Sequence, residues 1–326
     1  MNIKYRTLNV IFLREEVRQL AEEQKSRLNE GIVKIVKEIY DEIYCKFREQ
    51  YIVIFLCGGA STSKHKSLRD RVRVLLENER KTIWNKPYKI FYPEDLLIEV
   101  LNKTKEADLL SYELFLANNS HMIVIICESA GSLVELGAFT NNDYTVDKVV
   151  AAVDKRRVKD KSFIMLGPIK YLKKRSKLNV VEYGQDDVEF AKSLSKDIRE
   201  KYRVSGNKSS MIELTTIVGM HYFIQLILYY FKSLNSKELV QIIECISKKE
   251  GIVYDDFKVL FNAALKLLFQ DKKIVKMTGN QYSSYKLTET DFFTMKSMIT
   301  DCTRAGLCDK IRVELMHNEF YKSPHS

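Results

Sequence analysis

The chain has 326 residues, a length that allows one large core or, more often, two domains. Its apolar fraction of 45% and charged fraction of 29% are those of an ordinary globular protein and argue against a disordered chain. The net charge is +10, whereas the six cysteines and five histidines are too scattered for a disulfide framework or a metal site. Because the amino terminus also lacks a signal-peptide pattern and no apolar run is long enough to cross a bilayer, we expect a cytoplasmic protein without a membrane span.

The first 50 residues are rich in charge, with apolar residues repeated at helical spacing. Val17, Leu28 and Ile32 belong to a pattern that continues to Ile43 without an intervening proline. This periodicity predicts two helices, or one long kinked helix, as an amino-terminal extension over residues 1–50. Such an extension could cover the following domain or mediate a higher-order assembly, and the pattern is compatible with both.

Residues 51–204 alternate apolar strands with helical patterns. The first strand, 51–57, is almost wholly apolar, as is expected of a central strand in a parallel sheet. Strands that alternate with helices predict an α/β domain, a doubly wound parallel sheet of the flavodoxin-like kind. The predicted strands are 51–57, 88–92, 122–127, 149–153 and 179–183, and the predicted helices are 66–80, 94–105, 107–118, the one that carries Glu135, and 187–202.

A polar break at residues 205–210 separates this domain from a different pattern. Beyond it, three helical patterns are followed by a Gly279-Asn280 turn between two strand-like runs, which indicates a β-hairpin. This order is typical of a winged helix-turn-helix domain, which we predict over residues 210–326. The predicted elements are helices 211–231, 236–249 and 257–269, strands 273–277 and 282–287, a helix at 290–299, and a looser tail after Gly306.

The most informative motif is the run from Cys127 to Phe139, which follows the third strand and opens a helix. It places Gly131 and Glu135 at the carboxyl end of a parallel strand, where open α/β sheets bind ligands. Gly131 allows a ligand to approach the backbone closely, and a carboxylate beside a sugar's anomeric carbon can trap an oxocarbenium-like centre covalently. Glu135 is therefore a candidate nucleophile for glycosyl transfer. The alternative is that this glutamate only caps its own helix or faces solvent, as glutamates near helix starts commonly do.

The spacing of Gly131, Glu135 and Gly137 resembles that of the nucleoside 2-deoxyribosyltransferase family, in which this glutamate attacks the anomeric carbon of a ribosyl group. The resemblance extends over about residues 51–202. It implies that Glu135 is the catalytic nucleophile. It also implies a second catalytic carboxylate, Glu113, at a helix position where the family usually has aspartate. The alternative for Glu113 is a solvated position on its helix.

Further substrate-binding residues follow from the same resemblance. In the family the first strand ends in a glycine-containing loop that lines the pocket, and Gly58, Gly59 and Ser61 occupy that place here. The family usually has an aspartate six residues before the nucleophile, where this chain has Ser129, preceded by Glu128. Either Glu128 takes over the role of that aspartate or the substrate is held differently. Because of this departure, we expect the substrate to be a ribonucleotide such as NAD and not a free deoxynucleoside. NAD would then be a substrate, and we expect no cofactor.

An α/β domain of this kind joined to a winged helix resembles the effector proteins of bacterial retrons, which are deoxyribosyltransferase-like toxins. The resemblance implies an N-glycosidase in anti-phage defence, with NAD as the expected target. It further implies a complex with the retron reverse transcriptase and its multicopy single-stranded DNA (msDNA) and RNA, which holds the activity in check until infection.

The positive charge is concentrated in one segment. Residues 154–177 contain ten Lys and Arg against two Asp, and such density is typical of a face that binds nucleic acid, with a merely solvated loop as the alternative. Residues 205–326 carry 16 basic and 13 acidic residues, a weak excess for a reader of duplex DNA, so this part could bind nucleic acid or protein. The candidate nucleic-acid-binding residues are Arg156, Arg157, Lys173, Lys174, Arg175, Lys272 and Lys273.

Two functional hypotheses follow. In the first the chain is an N-glycosidase in which Glu135 attacks C1′ and a base departs. In the second it is a non-catalytic regulator that senses a nucleotide and binds nucleic acid. They differ in the effect of Glu135→Gln, which abolishes base release only under the first hypothesis.

Overall fold

The computed structural model describes residues 30–79, 85–92, 115, 117, 119–205, 212–254, 256–278 and 283–320. The described residues fall into two compact units, one within 48–211 and the other within 1–47 and 212–326. In chain order the helices and strands are α1 (Glu30–Glu42), β1 (Ile52–Cys57), α2 (Leu68–Glu77), β2 (Tyr88–Phe91), β3 (Met122–Ile126), α3 (Ala130–Thr140), β4 (Val149–Asp154), α4 (Lys170–Arg175), β5 (Val180–Tyr183), α5 (Asp187–Val204), α6 (Ile217–Phe231), β6 (Leu234–Asn235), α7 (Ser236–Glu250), α8 (Phe257–Gln270), β7 (Ile274–Thr278), β8 (Ser283–Leu287), α9 (Glu289–Cys302) and α10 (Leu307–Phe320).

The first unit is built on a five-stranded parallel sheet with the strand order β2-β1-β3-β4-β5. All residues of β1, β3 and β4 are buried, which explains why these strands are apolar throughout and do not alternate with polar residues. The prediction of an α/β domain with a parallel sheet is confirmed. The strand order is also that of flavodoxin-like doubly wound sheets.

Helices cover both faces of this sheet. On one face, Ile54 of β1 and Val124 of β3 belong to a core that includes Val72 of α2 and Leu194 of α5. On the opposite face, the ring of Phe55 meets that of Phe139 in α3 edge to face, with centroids 6.1 Å apart. Neighbouring residues of one strand therefore point to different helix layers, as the period of two requires.

The second unit is mainly helical. Helix α6 is buried from Ile217 to Tyr230, and α8 packs against it. Strands β6, β8 and β7 form a small antiparallel sheet in that order, with Ile274 opposite Leu287 in the hairpin. Helix α1 packs against α7 and α10.

Two element boundaries differ from the sequence prediction. Helix α6 begins at Ile217, not near residue 211, because the Thr216 side chain caps it by accepting a hydrogen bond from the Gly219 N–H at 3.0 Å. The prediction of a looser tail after Gly306 is wrong, because α10 follows directly. Ile311 and Leu315, spaced one turn apart, are buried there and give the helix an apolar stripe to pack.

Several predicted features lie outside the described residues. They are residues 1–29 of the extension, helix 94–105, almost all of helix 107–118, most of the break at 205–210, and the turn at 279–280. Among the described helices, none combines the length and apolar character that a membrane crossing requires.

Candidate active site

The candidate site lies at the carboxyl ends of β1 and β3. These strands are parallel neighbours, with Cys57 opposite Ile125, and the strand order reverses direction between them. Ligands of open α/β sheets bind in the crevice at such a switch point. The loops that leave β1 and β3 both carry residues predicted to bind substrate.

Helix α3 begins at this crevice with a reciprocal cap. The Ser129 side chain accepts a hydrogen bond from the Ser132 N–H at 3.1 Å, and the Ser132 hydroxyl accepts one from the Ser129 N–H at 3.1 Å. Leu136 and Phe139 then anchor the helix on the sheet. Ser129, predicted to bind substrate, thus has a structural task of its own: it sets where the helix starts.

Glu135 lies in the second turn of α3, one turn after Gly131. Its side chain is half-buried, and its Oε2 atom is shielded from solvent. Glu135 lies at the border between the packed and the open face of the helix, because Leu136 on one side of it is buried and Val134 on the other side is exposed. A carboxylate at such a border can meet a ligand while bulk water reaches it only in part. Its role as nucleophile stays a prediction.

The three glycines of the predicted pocket differ in what surrounds them. A Cβ atom on Gly58 would lie 3.0 Å from the Arg69 Cβ, and one on Gly59 would lie 3.4 Å from the Glu128 carboxyl carbon. A Cβ on Gly131 would meet only the Ser129 Oγ, at 4.0 Å, and Gly131 is exposed. Gly58 and Gly59 therefore make room for the protein's own side chains, whereas Gly131 leaves open space beside Glu135.

Glu128 is engaged by the main chain. Its Oε1 atom accepts hydrogen bonds from the N–H groups of Gly59 (3.1 Å) and Arg69 (3.2 Å), and its Oε2 atom accepts one from Leu68 (3.2 Å). Leu68 and Arg69 are the first two residues of α2, so the carboxylate sits at a helix N-terminus, where negative charge is favourable. From the sequence we predicted a substrate-binding role for Glu128, and its hydrogen bonds to these three main-chain N–H groups were not predicted.

Ser61 belongs to a polar cluster in front of α2. Its hydroxyl accepts a hydrogen bond from the Ser67 N–H at 2.9 Å and donates to the Asp70 carboxylate. Burial alone would raise the pKa of Asp70, but hydrogen bonds from Ser61 and Tyr92 together with the Arg69 charge lower it. Asp70 is consequently held as a carboxylate at neutral pH.

Tyr92 and two arginines complete this cluster, and the sequence analysis missed them. The guanidinium carbons of Arg69 and Arg73 lie 4.1 and 4.3 Å from the Tyr92 ring centroid, a cation–π arrangement. Burial raises the pKa of Tyr92, so the phenol stays protonated. The one feature of the sequence that could have indicated a role for these residues is this pair of arginines in the first two turns of α2, which follows the glycine loop.

The predicted second carboxylate, Glu113, lies outside the described residues. Its role as a second catalytic carboxylate stays a prediction.

The predicted nucleic-acid-binding segment is exposed. All ten of its Lys and Arg residues are exposed, and Phe163 and Tyr171 add exposed aromatic rings among them, 87% and 44% accessible. Some of the charges have acidic partners within the same unit: Arg156 pairs with Asp154 at 2.5 Å, Arg175 with Asp147 at 2.7 Å, and Lys173 with Glu182 at 3.6 Å. Arg157 and Lys174 are also exposed.

The two candidate lysines of the second unit differ. Lys272 is exposed in a left-handed backbone conformation with φ of 54°. Lys273 instead donates hydrogen bonds to Asp291 at 2.8 Å and Gln225 at 3.2 Å, both of which are buried. Lys273 therefore neutralises a carboxylate inside its own unit, which leaves Lys272 as the freer candidate for a phosphate.

Comparison with known proteins relates this chain to retron effectors. The sequence model of a family described as "STM3845 retron effector protein" matches residues 65–276, almost two thirds of the chain. The chain is 27% identical over 280 residues to the Escherichia coli "Retron Ec86 putative ribosyltransferase/DNA-binding protein". This match covers 82% of this chain and 85% of that relative. It is 30% identical over 126 residues to the E. coli "Retron Ec73 putative ribosyltransferase/DNA-binding protein", 38% of each chain.

Proposed function

The chain belongs to the STM3845 retron effector family, and on that premise we propose that it is an N-glycosidase with Glu135 as its nucleophile and NAD as its substrate. The observation that carries the proposal is the half-buried carboxylate of Glu135 beside the open space at Gly131, at the switch point of a parallel sheet. The word ribosyltransferase in the names of both relatives supports the same class of chemistry.

The chemistry follows from the charge of the reacting groups. A Glu135 oxygen attacks C1′ of the ribosyl group as the C1′–N bond breaks, and nicotinamide leaves as a neutral molecule because its ring nitrogen was cationic. The transition state is oxocarbenium-like, so a fixed carboxylate stabilises it. Water then attacks C1′ of the ester, which releases the ribosyl product and a proton and restores the carboxylate.

We propose further that the second unit carries a winged helix-turn-helix. Its supporting features are the order α6, β6, α7, α8 and the β7–β8 hairpin, and the small sheet in which β6 pairs with β8. Helix α8 is buried on most sides, and its remaining face carries Lys258, Asn262, Lys266 and Gln270, each four residues from the next. Lysine pairs with phosphate or guanine, and asparagine and glutamine pair with adenine, so this face suits nucleic acid.

The proposed partners are the retron reverse transcriptase and its msDNA, which would hold the glycosidase in check. Two features support binding to nucleic acid: the polar face of α8 and the exposed basic segment at 154–177, whose Phe163 and Tyr171 could stack on unpaired bases. The names of both relatives include DNA-binding protein.

The test is base release by the purified chain, measured by chromatography after incubation with NAD and, separately, with deoxynucleosides. We expect free nicotinamide from NAD, and we expect Glu135→Gln to abolish it because an amide cannot act as the nucleophile. Glu189→Gln, at an exposed position in α5, is the matched control and should keep full activity.

Two outcomes would contradict the proposal. Nicotinamide release by the Glu135→Gln protein at the wild-type rate would place the nucleophile elsewhere. No base release from any substrate, together with NAD binding, would favour the non-catalytic sensor.

A further inference from the structure

Glu128 joins three separate parts of the first unit. The N–H groups that its carboxylate binds come from the loop after β1 (Gly59) and from the start of α2 (Leu68 and Arg69). Its own backbone lies in the loop between β3 and α3, where its N–H donates to the Ile126 carbonyl at 2.8 Å. A single carboxylate thus connects both sides of the crevice.

This connection bears on the nucleophile through one residue. Glu128 directly precedes Ser129, which caps α3, and Glu135 lies in the second turn of that helix. The direction of α3, and with it the position of the Glu135 carboxylate, therefore depends on a backbone that Glu128 ties to two other elements.

We propose that Glu128 is a positioning residue for the glycosidase reaction and that it closes the N-terminus of α2 to phosphate groups of the substrate. The inference rests on the proposed function of Glu135. Glu128 acts through α3 on the nucleophile and does not itself touch the sugar.

The second part of the proposal concerns the class of substrate recognised. Convergent N–H groups at a glycine loop and a helix N-terminus commonly bind phosphate. Here the same three N–H groups already donate to a carboxylate, so an incoming phosphate would meet its negative charge and find these donors occupied. The pocket consequently selects the ribosyl–base part of an N-glycoside, and the phosphates of a nucleotide substrate extend away from α2.

The first experiment compares Glu128→Gln with the wild type and with the Glu189→Gln control. Glutamine keeps the volume and one acceptor oxygen, but its NH₂ group cannot accept a hydrogen bond. We expect kcat to fall by about tenfold to a hundredfold, because a displaced nucleophile loses its attack geometry, with little change in KM for NAD. A raised KM with unchanged kcat would show that Glu128 contacts the substrate and would overturn the proposal.

The second experiment needs no activity. Hydrogen exchange at the amides of Gly59, Leu68 and Arg69 should be faster in Glu128→Gln than in the wild type, because their acceptors are weakened. Inorganic phosphate should raise the Tm of Glu128→Ala, in which the three N–H groups become available, by more than it raises that of the wild type, in which they are occupied.

These readouts separate the two proposals. If the wild type releases no base, the glycosidase proposal fails, while exchange and phosphate binding still decide whether Glu128 holds and closes the crevice. Unchanged amide exchange in Glu128→Gln, or an equal effect of phosphate on the Tm of Glu128→Ala and of the wild type, would overturn the role given to Glu128 whatever the activity.

Discussion

Lys201 is the clearest case of a single buried charge in the first unit. Its Nζ donates hydrogen bonds to the Val149 carbonyl at 3.1 Å and to the Asn179 side-chain oxygen, and the residue is only 7% exposed. Burial lowers the pKa of Lys201 from 10.5 to about 8. The folded protein therefore holds this proton less tightly than the unfolded chain does.

A pH dependence of stability follows from this shift. Below pH 8 the residue is protonated in both states and the burial of its charge destabilises the fold. Between about pH 8 and 10.5 the unfolded chain binds more protons, so the free energy of unfolding rises with pH. Relative to Lys201→Met, which cannot titrate, we expect the wild type to gain up to roughly 3 kcal/mol between pH 7.5 and 10.5.

Urea unfolding at both pH values measures this difference. Lys196→Met, at an exposed position on the same helix, should follow the wild type across the range. Equal pH profiles for the wild type and Lys201→Met would mean that the ammonium group is well solvated in the folded state.

Individual residues of the candidate site were predictable where the cause is local. Glu135 could be located because its spacing from Gly131 and a preceding strand is visible in a short stretch of sequence. The bonds of Glu128 could not be predicted, because they join residues 59 to 69 positions apart along the chain. The polar cluster of Ser61, Asp70 and Tyr92 likewise exists only once two strands and a helix have come together.

At the scale of helices, two glycines differ in the space that a Cβ atom would find. A Cβ on Gly219, near the start of α6, would lie 1.8 Å from the Glu213 carbonyl oxygen, a backbone atom that cannot move alone. A Cβ on Gly137, in α3, would have no atom within 4 Å. The same substitution to alanine should therefore change stability in opposite directions.

We expect Gly219→Ala to destabilise the protein by about 1–3 kcal/mol, because α6 must shift away from Glu213. Gly137→Ala should stabilise it by roughly 0.5–1 kcal/mol, because alanine loses less backbone entropy in a helix. Chemical denaturation of both variants tests the pair. If Gly219→Ala were as stable as the wild type, the close approach of the Glu213 carbonyl would be wrong.

Helix ends were predicted less well than helix interiors for a physical reason. The apolar run that suggested a helix from residue 211 continues through 212 and 214, which are buried but not helical. Periodicity records burial, whereas the start of the helix is set by the Thr216 cap. In the same way, the positive φ of Gly306 ends one segment and does not prevent the next helix from starting at Leu307.

At the scale of the whole molecule, the sheet was easier to predict than the grouping of the elements. Wholly apolar strands alternating with helices are compatible with few architectures, so the α/β class followed from sequence. The unit against which α1 packs did not follow from sequence. An apolar stripe on a helix shows that one face is buried, but not which core buries it. Residues 30–47 in fact belong to the same unit as 212–320, where Ile35 and Ile39 are buried.

The net charge of +10 raises the question of which positive groups a nucleic acid would meet. We expect the exposed residues Arg157 and Lys174 of the basic segment to contact phosphates. The double variant Arg157→Ala/Lys174→Ala should bind a single-stranded oligonucleotide more weakly than the wild type. Each lost contact should reduce the slope of log K against log salt by about 0.7 for a single strand, so about 1.4 for the pair.

Fluorescence anisotropy of a labelled oligonucleotide over a salt series measures both quantities. The matched control is Lys34→Ala/Lys296→Ala, which removes the same charge at exposed positions outside the segment. An equal loss in both double variants would mean that the nucleic acid responds only to total charge. Because counterion release depends on the phosphates actually contacted, a smaller slope confined to the Arg157/Lys174 variant would assign the contact to residues 154–177.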